Sequence, residues 1–292
     1  MSEVKLAVIG GSGVYDMEAL SDVEERHIVT PFGDPSDSIV IGTLAGKRIA
    51  FLPRHGRGHR LTPTEVPYRA NIWALKSLGV ERIISISACG SMKKKYAPRH
   101  IVIPDQLYDN TKKRDYTFFG DGLVAHISFA EPFCPHLREV LYEAATKAGG
   151  TVHMGGTFIT IEGPRFSTRG ESYIYRSWGV DVIGMTAVPE AQLAREAEIC
   201  YATMAHVTDY DVWHEEEEAV NVQMLIDNLM ANAALSKKTI AALLPLLSDE
   251  RPCDCGQALA TAIITQRDRI PKAKIEQLGP IIARYFAPGD QR

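Results

Sequence analysis

The chain has 292 residues, 45% of them hydrophobic, enough to bury a large core in one or two domains. Its 32 basic and 36 acidic side chains give a net charge of −4, which argues against a nucleic-acid surface but leaves room for a local anion pocket. No run approaches the roughly 18 apolar residues of a membrane span, the N-terminus enters a strand too early for a signal peptide, and the expected location is therefore cytoplasmic, with no membrane partner.

Residues 5–9 read as a buried strand stopped by Gly10-Gly11-Ser12-Gly13. Glycines there let backbone amides turn toward an anion, with the Ser12 hydroxyl as a further donor; the GxGxxG dinucleotide spacing is absent. Residues 38–44 and 47–52 read as a hairpin across Ala45-Gly46. It runs straight into Pro53-Arg54-His55-Gly56-Arg57-Gly58-His59-Arg60, whose five basic or titratable side chains, spaced by glycines, suit an anion cradle. Helical apolar spacing covers 67–78, and a strand over 82–88 leads into Ala88-Cys89-Gly90-Ser91, read as a second strand-to-glycine turn with Ser87 and Ser91 as hydroxyl donors.

A strand is expected over 100–104, whereas 107–130 is too polar and glycine-interrupted for a long element; it carries His126, by itself an ordinary loop histidine. Residues 135–148 form an amphipathic helix and 156–161 a strand, which enters Glu162-Gly163-Pro164-Arg165-Phe166-Ser167. There Ser167 is expected to cap a helix running to about residue 178. Phe166 either presents its ring to a planar ligand or packs in the core. A strand over 180–184 ends at Met185-Thr186, and a helix follows over 189–198.

The strand over 200–208 delivers Asp209 and Asp211 to its carboxyl end, where open α/β sheets bind ligands. On an extended chain the two carboxylates would face one side and repel. Walled by Tyr210, Val212 and Trp213, at least one should have a raised pKa and serve as a general acid. The alternative is a strand-end turn in which both cap backbone amides.

A long helix over 219–247 presents Val222, Leu225, Ile226, Leu229 and Met230 on its inner stripe, and the tail carries short helices broken at Pro271 and Gly279. Alternating strands and helices imply an α/β fold: one domain over 1–247 with a central mixed β-sheet flanked by helices, and a helical extension over 248–292 packed on it. Of the five scattered cysteines, Cys253 and Cys255 lack the second pair or the histidines that a zinc site needs. They are either ordinary thiols or a strained, redox-active disulfide. No metal is expected.

Taken together, IGGSG, PRHGRGH, SACGS, AEPFCP, TIEGPRFSTRGES, GMTAVPE and VTDYDVW, in this order over roughly residues 5–245, resemble the trimeric nucleoside phosphorylase family in its methylthioadenosine-cleaving branch. The resemblance implies a nucleoside phosphorylase-like fold and phosphorolysis of S-methyl-5'-thioadenosine to adenine and 5-methylthioribose 1-phosphate, with orthophosphate as co-substrate and no cofactor. It implies that Ser12, Arg54, His55, Ser87, Ala88 (through its backbone amide) and Thr186 hold phosphate, and that Phe166 stacks on the purine. Met185 would lie against the ribose, Asp209 and Asp211 would read and protonate the base, and Val222, Leu225 and Ile226 would line a methylthio pocket with His126 from a neighbouring subunit. A homotrimer is implied, or a dimer of trimers.

Two positions depart from the animal members of that family, which have threonine at Ser12 and asparagine at Gly184. The tail, with its Cys-Asp-Cys, is similar instead to a hexameric archaeal branch in which such cysteines form disulfides. Competing readings are a phosphorylase of 6-oxopurine nucleosides or methylthioinosine, against which two aspartates argue, and a non-catalytic nucleoside-binding protein.

Overall fold

In the computed structural model residues 4–11, 19–214 and 222–286 are described, the side chains of 222–227 and 229 excepted. The elements in chain order are β1 (Leu6–Gly10), β2 (Ser21–Arg26), β3 (Ile39–Leu44), β4 (Lys47–Pro53), α1 (Tyr68–Ser77), β5 (Arg82–Ser91), β6 (Ile101–Ile103), β7 (Gln106–Asn110) and α2 (Pro135–Lys147). There follow β8 (Val152–Met154), β9 (Thr157–Ile161), α3 (Arg169–Ser177), β10 (Val182–Gly184), α4 (Ala187–Glu196), β11 (Cys200–Asp209), α5 (Val222–Leu243) and α6 (Lys272–Leu278).

The strands form one mixed sheet in the order β2-β3-β4-β1-β5-β10-β9-β7, with β11 on the other edge of β5, β6 on β11 and β8 on β6. Buried apolar runs place β1, β4, β5 and β11 at its centre, all parallel. Along one edge of β5, β1 pairs with residues 82–85 and the antiparallel β10 with Gly90 and Ser91. Between those stretches the sheet parts. Ala88, in the middle of this central strand, is exposed there.

Helices cover both faces. On one, α1 and α4 pack over Ile9, Leu52, Ile83 and Tyr201; on the other, α2 and α5 pack over Val8, Phe51, Ile84 and Met204. The tail joins the first layer, burying Leu259, Ala262, Leu278, Ile281 and Ile282 in that core, and it pairs with the 123–126 segment through an Ala125 to Ile263 bridge.

Several elements differ from their sequence signals. β2 is polar and mostly exposed, so hydrophobic alternation cannot reveal it; pairing with β3 makes it a strand. β8 is a short edge, and residues 106–110, within the stretch expected to be irregular, pair with β9 as β7. Thr168, not Ser167, caps α3, because its hydroxyl accepts the Glu171 N–H while the Glu171 carboxylate returns to the Thr168 N–H. The long helix is described from Val222 and gives way to a 3-10 turn at Leu244–Leu246, where Pro245 interrupts its hydrogen bonding. Gly90 lies inside β5 rather than in a turn.

The cysteines differ most. All five are free thiols, so the disulfide reading is not realised, and Cys253 and Cys255 stand beside Cys134 and Cys200. Those two supply a second pair that local spacing hid.

Candidate active site

The parted edge of β5 brings together Ser87, Ala88, Thr186 and Arg54 from among the residues singled out in the sequence. Ser87, buried, lies with its Oγ 3.2 Å from Thr186 Oγ1, the residue that opens α4 after β10. The Arg54 N–H donates to the Gly10 carbonyl, tying the end of β4 to the end of β1. Ser12 and residues 12–18 fall outside the described residues.

Arg54 is 2% exposed, and its guanidinium makes a two-pronged ion pair with Glu190 (Nε to Oε2 2.8 Å, Nη2 to Oε1 2.9 Å). Nη1 donates to the Ile86 carbonyl and Nη2 to Ser85 Oγ, both on β5 next to the gap. Burial opposes its charge, but Glu190 outweighs burial and holds it cationic. Glu190 also accepts from the Tyr201 hydroxyl at 2.8 Å. Sequence reasoning missed this residue; its signal was a carboxylate in the GMTAVPE segment, on a helix turn otherwise apolar.

His55 donates from Nδ1 to the Leu61 carbonyl (2.8 Å), which leaves Nε2 as an acceptor. Burial, reinforced by Arg54, pushes its pKa down to about 4. The rest of the expected cradle has other partners: Arg57 pairs with Glu25 and Asp37, Arg60 donates to the Ser36 carbonyl, and the His59 ring stacks on that of His55 with centroids 4.3 Å apart. Five candidate anion ligands thus narrow to Arg54 and His55.

The carboxylate pair is arranged differently from an extended strand. β11 stops at Asp209, and Asp211 adopts φ +53°, so the chain turns between them. Asp209 Oδ1 accepts the Asp211 N–H at 2.7 Å, and Thr208 Oγ1 lies 2.6 Å from Oδ2. Gly90 permits this approach, since a Cβ there would stand 3.0 Å from Asp209 Oδ1 and 3.3 Å from Asp211 Cβ. Burial raises the Asp211 pKa against bonds from Ser172 and the Val212 amide, and the Asp209 charge adds to the rise. Asp211 Oδ2 is buried without a hydrogen-bond partner among the described residues. Trp213 closes this end, its Nε1–H donating to the Ser91 carbonyl at 2.7 Å. Asn228, also missed, donates to the Thr208 carbonyl (2.7 Å) and so fixes α5 to the end of β11.

Met185 is half-buried against Gly163, where a Cβ would sit 2.6 Å from its Sδ, so the turn that carries Phe166 borders the same opening. Phe166 itself is 58% exposed, which excludes core packing. At Gly184 a Cβ would meet the Phe158 ring at 2.5 Å, so a larger residue there requires Phe158 to move. Val222, Leu225 and Ile226 sit on the first turns of α5, with side chains outside the described residues. His126 is exposed, and its N–H donates to the Ala262 carbonyl of the tail; none of its described contacts is to the opening.

These pKa shifts give a pH dependence. His55 and His206 have folded pKa values pushed down to about 4, chiefly by burial, against about 6.5 in an unfolded chain. Between those values the unfolded state binds more protons, so stability present above pH 6.5 is lost as the pH falls toward 4. His153, lowered by burial and by His100, adds to this. Glu196, raised by burial to about 7, and Asp211 work in the opposite direction. The imidazoles outnumber the carboxyls, so the melting temperature is expected to fall between pH 6.5 and 4.5, and Glu196→Gln is expected to steepen the fall. A melting temperature flat across that interval would contradict the assignment.

The phosphorylase superfamily model matches residues 5–245. The S-methyl-5'-thioadenosine phosphorylase of Geobacter sulfurreducens is 56% identical over 284 residues, covering 97% of this chain and 99% of that protein. The protein of that name from Koribacter versatilis is 53% identical, with 99% of each covered. Among solved structures, a methylthioadenosine phosphorylase from an antarctic soil metagenomic library superposes with a TM-score of 0.93 at 48% identity, covering 96% of this chain and 99% of that one. The Schistosoma mansoni enzyme in complex with adenine gives 0.84 at 38% identity, with 91% and 100% covered.

Proposed function

The chain belongs to the phosphorylase superfamily, and from that we infer that it is a pentosyltransferase that splits S-methyl-5'-thioadenosine with orthophosphate into adenine and 5-methylthioribose 1-phosphate. The observation that carries the reading is full-length identity above 50% to phosphorylases of this substrate. A buried Asp209 and a half-buried Asp211 beside Gly90 of β5 support it.

As the bond to C1' breaks, the ribose becomes oxocarbenium-like and negative charge gathers on the purine. A carboxyl that donates at N7 lowers that barrier, and the role is assigned to Asp209 and Asp211, which the Asp211 N–H bond to Asp209 Oδ1 holds side by side. A carboxylate also accepts from the 6-amino group of adenine, whereas a 6-oxo group would offer it only lone pairs. Phosphate is assigned to Arg54, His55, Ser87, the Ala88 amide and Thr186, with Ser12 completing the set. Cationic Arg54 supplies the field, neutral His55 offers Nε2 to a protonated phosphate oxygen, and the two hydroxyls donate. Phe166 is assigned to the purine face, Met185 to the ribose, and Val222, Leu225 and Ile226 to the methylthio group, with His126 from a neighbouring subunit. The exposure of His126 and the apolar surface of Tyr108, Tyr173, Ile174 and Trp178 support a homotrimer or a dimer of trimers. The site as proposed needs no cofactor. No helix among the described residues is long and apolar enough to cross a membrane, and we place the enzyme in the cytoplasm.

The deciding experiment follows ultraviolet absorbance with methylthioadenosine, adenosine, methylthioinosine and inosine, each with and without phosphate. Phosphate-dependent release of adenine, fastest from methylthioadenosine, is expected. Release of hypoxanthine in preference would overturn the base assignment, and indifference to phosphate would overturn the reaction.

A further inference from the structure

Far along β11 from Asp209, at its first residue, lies a cluster with no part in this chemistry. Cys134 precedes α2 as its N-cap, Cys200 begins β11, and Cys253 and Cys255 flank Asp254 in the tail. All four are free thiols whose sulfurs lie within 4.8 Å of one another. Cys253 Sγ is 3.3 Å from Cys200 Sγ and 3.7 Å from Cys134 Sγ. We propose that these four cysteines bind one structural Zn²⁺ that fastens the C-terminal tail to the body of the enzyme.

Four sulfurs around a tetrahedral zinc, each at about 2.3 Å from the ion, stand about 3.8 Å apart. The separations here bracket that spacing. They are too close for an iron–sulfur cluster, whose several irons hold their cysteines farther apart. Two further contacts make sulfurs hydrogen-bond acceptors, which favours their thiolate form. The Leu137 N–H, in the first turn of the 13-residue helix α2, donates to Cys134 Sγ at 3.4 Å; Arg195 Nη1 lies 3.6 Å from Cys255 Sγ. Donors of this kind orient and stabilise metal-bound thiolates. On binding, the four S–H groups release four protons and leave a site of charge −2, which Arg195 partly offsets. Three of the cysteines are buried, while Cys253 is partly exposed and offers the entry path.

The ion joins three chain segments that are otherwise far apart: Cys253 is 119 residues from Cys134 and 53 from Cys200. From Cys255 the tail continues into the core through Leu259 and Ala262, and it hydrogen-bonds the 123–126 segment that carries His126. A staple at its root holds that arrangement in register.

The test uses the full chain purified under reductant from zinc-containing medium, without chelator, and read by native mass spectrometry and elemental analysis. One zinc per chain is expected, with Cys253→Ser, the least buried ligand, losing most of it. Replacing zinc by Co²⁺ should give the thiolate charge-transfer absorption and intense visible bands of a tetrahedral tetrathiolate site. Stripping the metal should lower the melting temperature on the order of 5 °C, and zinc should restore it. A native mass that remains metal-free after incubation with Zn²⁺ would overturn the proposal. So would a metal-free mass lower by four hydrogens, which would mean two disulfides in place of the ion.

Discussion

Asp209→Asn is expected to lower kcat/KM for phosphate-dependent cleavage of methylthioadenosine by about 10²- to 10⁴-fold, the usual contribution of a positioned general acid. The substitution keeps the side-chain shape, and the Thr208 hydroxyl can rotate to pair with either end of an amide, so folding should survive. What changes is the base that is read. An amide can donate to a 6-oxo group, so the ratio of inosine to adenosine cleavage should rise even as total activity falls. Asp211→Asn separates the roles. Its parent carboxyl has a raised pKa and an oxygen without a hydrogen-bond partner among the described residues, and if it holds the proton, this variant loses more activity than Asp209→Asn. An Asp209→Asn enzyme with unchanged rate and unchanged base preference would sink the assignment of the pair.

The second large effect falls on stability. Glu190→Ala removes the only carboxylate within 4 Å of the Arg54 guanidinium among the described residues and leaves a buried cation uncompensated, at an expected cost of about 3–5 kcal/mol. The Tyr201 hydroxyl loses its acceptor at the same time. Because Arg54 also holds Ile86 and Ser85 at the edge of the gap, the apparent affinity for phosphate should fall with the stability. Replacing both partners by apolar residues, Arg54→Met with Glu190→Leu, should be less destabilising than either single change, since no charge is then left buried alone. Urea unfolding of the two single variants and the double variant measures this directly. A Glu190→Ala protein within about 1 kcal/mol of the parent would show that the pair does not hold this corner.

Much of this architecture is written locally. The buried runs of β1, β4, β5 and β11, the apolar stripes of α1 and α2, the proline that opens α2 and the aspartates at the end of β11 follow from periods of two and 3.6 residues and from turn chemistry. Such signals report on neighbours a few residues away, and they place Asp209, Arg54, Ser87 and Thr186 at strand ends or just beyond them. They do not say which strands lie side by side. Only tertiary pairing puts β1 and β10 on the same edge of β5, opens the sheet at Ala88, and makes Gly90 the clearance for two carboxylates instead of a turn. Only it joins Arg54 to Glu190 across 136 residues and turns two pairs of distant thiols into one cluster. Burial fixes a residue's surroundings, and those come from parts of the chain whose separation no local period encodes.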